Sequence, residues 1–209
     1  MQTKILTATS EHAYETALEL LHQGEIIAFP TDTVYGLAAD AFNHQAIQKL
    51  FEAKGRDFNK AIAVLIGEET QAQLLAESVS SSALILMRRF WPGGLTVIVP
   101  KKAGLPPSLS PAETIGLRIP DQPIAIELLR RFGPLATTSA NLSGGKNPIT
   151  TADVLLQLDQ RIPLILDGGA CRGGVPSTVV DCTVEPVRIL RPGVIHEDQI
   201  IEALSTSQA

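Results

Sequence analysis

Aromatic side chains are scarce: six Phe, two Tyr and one Trp make up 4% of the 209 residues. Readers of single-stranded RNA offer stacking rings, so this scarcity argues against a pure RNA-binding module. Cysteine is rarer still. Cys171 and Cys182 match no metal-ligand spacing and read as buried thiols of a reducing compartment, where structural disulfides do not persist. No apolar run approaches the roughly 18 residues of a membrane helix. The opening Met1 to Leu6 leads into Thr, Ser, Glu and His instead of an apolar stretch, which argues against a signal peptide. The expectation is a cytoplasmic protein with no membrane contact. Charge of either sign is also modest: 17 basic against 22 acidic residues leaves a net −5. That balance disfavours a surface that grips nucleic acid all over, but it leaves a local basic cleft open.

What is present suits one globular domain over residues 1–209, with 44% hydrophobic and 19% charged residues. Apolar periodicity alternates between strand-like and helix-like along the chain. Tyr14, Leu18 and Leu21 share a helical face before Gly24, and Ile26 to Phe29 then reads as a strand ending at Pro30. Asn43 is placed to cap a helix through Ile47, Leu50 and Phe51. Strand-like runs follow at Ala61–Ile66, Leu95–Val99, Ile115–Ile119, Leu135–Thr137, Pro163–Leu166, Thr178–Asp181 and Val187–Leu190. Helices are expected through Leu84 to Phe90, after Asp121 and Pro123, and from a cap at Thr151. Alternation of this kind implies an open α/β sheet with flanking helices. The last two strands are too close in sequence for a helical crossover, so the sheet should be mixed.

Chemistry should gather at the strand ends. Four segments there carry polar residues that folding alone does not demand. Pro30-Thr31-Asp32-Thr33-Val34-Tyr35-Gly36-Leu37 sets hydroxyls and a carboxylate after a strand, although Thr and Asp also build ordinary turns. Lys54-Gly55-Arg56, with Lys60 beyond, places cations at a helix end; they suit phosphate, and equally suit the helix dipole. Thr137 to Lys146 combines hydroxyls, Asn141 and two glycines in a loop able to cradle an anion. Gly173 to Thr178 and Arg191-Pro192-Gly193 flank the last strands. Gly144-Gly145-Lys146-Asn147 is not a P-loop, and Gly168 to Gly173 is not a dinucleotide fingerprint. His12, His22, His44 and His196 show no metal spacing, and no serine occupies a nucleophile elbow.

In their order along the chain, these segments resemble the YrdC/Sua5 family of threonylcarbamoyl-AMP synthases. The resemblance runs from about Ser10 to Gly193 and includes Trp91-Pro92-Gly93, Arg118-Ile119-Pro120, Ser139 to Gly144, Ser177 to Asp181 and Leu190 to Gly193. It implies a YrdC-like twisted sheet with a deep basic concave face. It also implies an enzyme that joins L-threonine, bicarbonate or carbon dioxide, and ATP carried with a magnesium ion. The product would serve a downstream threonylcarbamoyl transferase machinery that modifies tRNA, with a contact to tRNA itself as a further implication. By motif match, Arg56, Lys60, Ser139, Asn141 and Arg191 would contact ATP. Thr33, Arg118 and Ser177 would hold threonine, and Lys54 with Arg56 would form the pair associated with activity.

Two departures stand out. Many relatives carry a histidine in the strand after the Lys-x-Arg segment, where this chain has Leu65. Longer relatives continue into a second domain, so the chain resembles the short form. Two other readings compete: an RNA-binding module without ATP chemistry, and carbamoyl activation for a different acceptor.

Overall fold

The computed structural model describes residues 2–206. Its strands are β1 (Lys4–Thr7), β2 (Ile27–Phe29), β3 (Gly36–Asp40), β4 (Ala63–Leu65), β5 (Leu95–Pro100), β6 (Thr114–Arg118), β7 (Leu135–Ser139), β8 (Leu164–Asp167), β9 (Thr178–Asp181) and β10 (Arg188–Arg191). The helices are α1 (Glu11–His22), α2 (His44–Lys54), α3 (Ser81–Phe90), α4 (Pro123–Phe132), α5 (Thr151–Leu158) and α6 (Glu197–Thr206). All ten strands join one open sheet in the order β1-β8-β2-β3-β7-β4-β6-β5-β9-β10. The sheet is mixed, as expected. The β4–β6 and β5–β9 pairs are parallel, whereas β9–β10 and β3–β7 are antiparallel.

The caps explain where the helices begin. Asn43 Oδ1 accepts from the amides of Gln45 and Ala46, as its position in the sequence suggests. Two other entries differ by one residue from the expectation. Gln122, instead of Asp121, accepts from Ala125 N at the start of α4. Thr150, instead of Thr151, caps α5, because Asp153 three positions on closes a capping box with it. Three elements lie outside the sequence expectation: β1, β3 and α6.

Side chains alternate across each strand, so the sheet has two apolar faces. Val64, Val97, Leu117 and Val180 point to the face packed by α2, α3, α5 and α6. Phe29, Ala38, Leu65 and Leu135 point to the face covered by α1 and α4. On this second face the outer strands β5, β6 and β9 contribute Thr96, Gly116, Arg118 and Val179 to a cavity wall. The functional side chains gather there.

A candidate active site on the open face of the sheet

The cavity floor is a row of small residues set by register. Thr137 of β7 pairs with Ala63 of β4, and Gly116 of β6 pairs with Ile98 of β5. A Cβ on Gly116 would lie 3.0 Å from Thr96 Cγ2, so only glycine leaves this part of the floor free. The enclosed volume is about 300 Å³, at the lower end of the roughly 300–1,000 Å³ typical of small-molecule sites.

One wall is built around Arg118. Its Nε donates to Gly93 O at 2.8 Å, one terminal nitrogen donates to Thr33 Oγ1 at 3.2 Å, and the other meets Asp32 Oδ1 at 2.5 Å. The ion pair is almost wholly buried. A guanidinium has five N–H groups, so two remain for a ligand. The Trp91–Gly94 turn presents the Gly93 carbonyl because Gly93 N bonds Ile119 O at 2.8 Å and Trp91 Nε1 bonds Leu95 O at 2.8 Å. Thr33 is held in turn by Thr31, whose hydroxyl lies 3.0 Å from Thr33 Oγ1 and donates to Val34 O at 2.6 Å. Tyr35 is not part of the wall. It is fully buried, and its hydroxyl anchors the segment by donating to Gly169 O at 2.7 Å.

The opposite wall joins β5, β9 and β10. Ser177 Oγ lies 2.9 Å from Thr96 Oγ1 and accepts from Arg191 at 3.0 Å. Gly193 keeps this wall tight: a Cβ there would stand 2.4 Å from both Pro176 O and Thr178 N. Arg56 enters from the end of α2, just past the left-handed cap Gly55. It donates to Ala61 O at 3.0 Å and lies over the Phe51 ring, while its Nε is buried without a partner. Burial lowers the pKa of Arg56, Arg118 and Arg191, and Arg191 is lowered further by the charges of the other two. Arg56, Arg118 and Arg191 all line the cavity. Such a cluster is suited to a multiply charged anion.

Six of the nine residues expected from the sequence line this cavity: Thr33, Arg56, Arg118, Ser139, Ser177 and Arg191. Lys54, Lys60 and Asn141 do not. Lys60 is exposed in the turn after Arg56. Asn141 is buried and braces its own loop, its amide donating to Leu142 O at 3.0 Å and Gly145 O at 2.8 Å. Lys54 is buried beneath that loop. Leu65, the position at which the family resemblance leads one to expect a histidine, lines the cavity. Sequence reasoning missed Thr96, whose hydroxyl is hidden in an apolar strand, and it placed Asp32 in a polar cluster able to hold a small ligand without foreseeing its ion pair with Arg118. The signal for Thr96 was a lone polar residue at an alternate position of β5.

The Sua5/YciO/YrdC family model, described as telomere recombination, matches residues 19–193. The chain belongs to this family. It is 43% identical over 199 residues to the threonylcarbamoyl-AMP synthase of Bacillus subtilis, covering 92% of this chain but 57% of that protein. It is 33% identical to the threonylcarbamoyl-AMP synthase of Vibrio campbellii, covering 86% of this chain and 98% of that one. The family fold is shared closely with P. abyssi Sua5 complexed with L-threonine. There the TM-score is 0.94 at 35% identity, over 97% of this chain and 61% of that chain. The chain thus spans little more than half of the longer relatives and nearly the whole of a short one.

Among the described residues no helix is long and apolar enough to cross a membrane. No group of three or more His, Cys, Asp or Glu side chains forms a metal cluster there either. The donor set around the cavity is cationic and hydroxylic, which does not suit a resident divalent ion.

Proposed function

We propose that this chain is a cytoplasmic threonylcarbamoyl-AMP synthase. The observation that carries the reading is the meeting of Arg56, Arg118 and Arg191 with the hydroxyls of Thr33 and Ser177 on one small cavity. Arg118, with two free N–H groups beside Thr33, is suited to the carboxylate of threonine, and Thr33 and Ser177 to its hydroxyl. Arg56, Arg191 and Ser139 would face the triphosphate of ATP, whereas Lys60, exposed in the adjoining turn and outside the cavity lining, would meet it only from solvent. Asn141 contributes by shaping the Ser139 loop. Magnesium would enter with ATP as the MgATP substrate.

The chemistry balances without a protein nucleophile. The threonine amine adds to carbon dioxide with release of a proton to solvent, or to bicarbonate with loss of water, and forms a carbamate. A carbamate oxygen then attacks the α-phosphorus, the bond to the β-phosphate oxygen breaks, and pyrophosphate leaves with the electron pair. The protein supplies position and positive charge where the leaving group develops. The product would pass to a separate transferase that modifies adenosine 37 of tRNA. Mass spectrometry of a mixture of protein, MgATP, threonine and ¹³C-bicarbonate tests the reading. A labelled threonylcarbamoyl-adenylate supports it, and its absence from a folded, ATP-binding protein overturns it.

A further inference from the structure

Lys54 differs from the other cations of the site. It is only 3% exposed, yet it does not line the cavity. Each hydrogen-bond partner of its ammonium lies on a single loop. The ammonium donates to Ser139 O, to Asn141 O at 2.5 Å and to Asn141 Oδ1 at 3.4 Å. As an ammonium it has three donors for these three oxygens, and as the neutral amine that burial favours above about pH 7 it has two, so in neither state is one left for a phosphate. The backbone adds a fourth tie, because Ser143 N donates to the Lys54 carbonyl at 2.9 Å.

Both ends of this link have consequences. Lys54 is the last residue of α2, whose Ile47, Leu50 and Phe51 are fully buried in the core, so its position is rigid. The loop it grips begins at Ser139, at the end of β7, and Ser139 is a cavity residue. At its two ends the loop is tied to the scaffold, by the pairing of Ser139 with Gly36, by Ala140 N donating to Tyr35 O at 2.8 Å and by Gln157 Nε2 donating to Lys146 O at 2.9 Å. Between them its other hydrogen bonds are internal: Asn141 N to Ser139 O, Gly145 N to Leu142 O, and the two from the Asn141 amide. Internal bonds give a loop shape but do not fix it to the scaffold.

We propose that Lys54 is a positioning residue. It clamps the Ser139–Ser143 loop to the end of α2 and so sets Ser139 against the cavity, and it does not itself meet the phosphates. The kinetic part of this inference rests on Ser139 being an ATP contact, as proposed above.

The test uses the full chain with Lys54→Met, which keeps the length of the side chain and removes its donors. A second variant, Lys54→Gln, keeps two N–H donors in case the first does not fold. Hydrogen exchange without substrate should show amides of the Ser139–Lys146 segment exchanging about tenfold faster in Lys54→Met, with exchange in α2 unchanged. The Lys54→Gln change should be smaller. In kinetics, the KM for ATP should rise about tenfold while kcat stays within about threefold. Adding Ser139→Ala to Lys54→Met should then cost little more, because both changes remove the same contact. Unchanged loop exchange combined with a collapse of kcat would overturn the proposal and make Lys54 a direct participant. Faster loop exchange with an unaltered KM would uphold the clamp and instead remove Ser139 from the ATP site.

Discussion

The Arg191 guanidinium reaches from the edge strand β10 across Ser177. Its Nε and one terminal nitrogen donate to the Ser177 carbonyl at 3.2 and 2.7 Å, and the same nitrogen donates to the hydroxyl at 3.0 Å. A residue assigned to ATP thus holds a residue assigned to threonine. Arg191→Ala should therefore raise the KM for both substrates, not for ATP alone. The combined loss of kcat/KM should be on the order of a hundredfold. Arg191→Lys should restore little, since an ammonium cannot reproduce a bidentate fork. A KM effect confined to ATP would separate the two subsites.

Arg56 carries a second prediction. Its side chain lines the cavity, and its Nε is buried with no partner in the protein. Arg56→Lys should impair turnover nearly as much as Arg56→Ala, each by on the order of 3 kcal/mol in the barrier. Stability should fall by less than about 1 kcal/mol, because a cation beyond a helix end contributes little and an unpaired buried donor is removed. Melting temperature and pyrophosphate release measured on the same proteins decide the matter. A folded Arg56→Ala enzyme with more than about a third of normal turnover would take Arg56 out of the site.

Gly116 tests the cavity floor. A Cβ there meets Thr96 Cγ2 at 3.0 Å, so Gly116→Ala needs a small shift and Gly116→Val projects methyls into the cavity. Overpacking should cost roughly 1–3 kcal/mol in stability for valine. Its kcat/KM for threonine should fall by at least about tenfold, since the substrate is displaced from its reacting position. Thermal melts with steady-state kinetics check this. Full activity in Gly116→Val would mean that threonine does not rest on this floor.

The Lys54 pKa gives a pH dependence. Burial, then repulsion by Arg56, hold it down at about 7, against about 10.4 in an unfolded chain. Between those values the unfolded chain binds the proton and the folded one does not, so this group makes stability rise with pH across the window. Of the two thiols expected to be buried, Cys182 is and Cys171 is only half-buried; raised to about 12 and about 11, they act in the opposite direction at alkaline pH. Comparison with Lys54→Met cancels their contribution. Urea midpoints should show wild type gaining on Lys54→Met from about pH 7 to about pH 10. A constant difference would show that Lys54 keeps an ordinary pKa.

The alternation of strands and helices was legible because buried strands and amphipathic helices differ in period; Thr178–Asp181 was read with the bounds that β9 has. The elements missed have physical reasons. Strand β3, Gly36-Leu37-Ala38-Ala39-Asp40, has no β-branched or aromatic residue and is a strand because β2 and β7 pair on either side of it. Edge strand β1 is mostly exposed and lacks a buried face. Within the site, motif order revealed Thr33, Arg118 and Ser177, whose side chains all reach the cavity. It said nothing of Thr96 or Gly116, which meet the cavity only through register between distant strands. Nor did it separate Lys54 from Arg56. Two residues apart in sequence, one is spent on loop carbonyls beneath the surface and the other opens on the cavity.

In the proposed reaction one cavity brings threonine, inorganic carbon and ATP together. Pyrophosphate release from MgATP, measured with threonine and bicarbonate each present or omitted, tests it most directly. Release should require both, and serine should substitute poorly, since the missing methyl is worth roughly 1–3 kcal/mol. Equal release with threonine omitted would mean that threonine is not a substrate of this cavity.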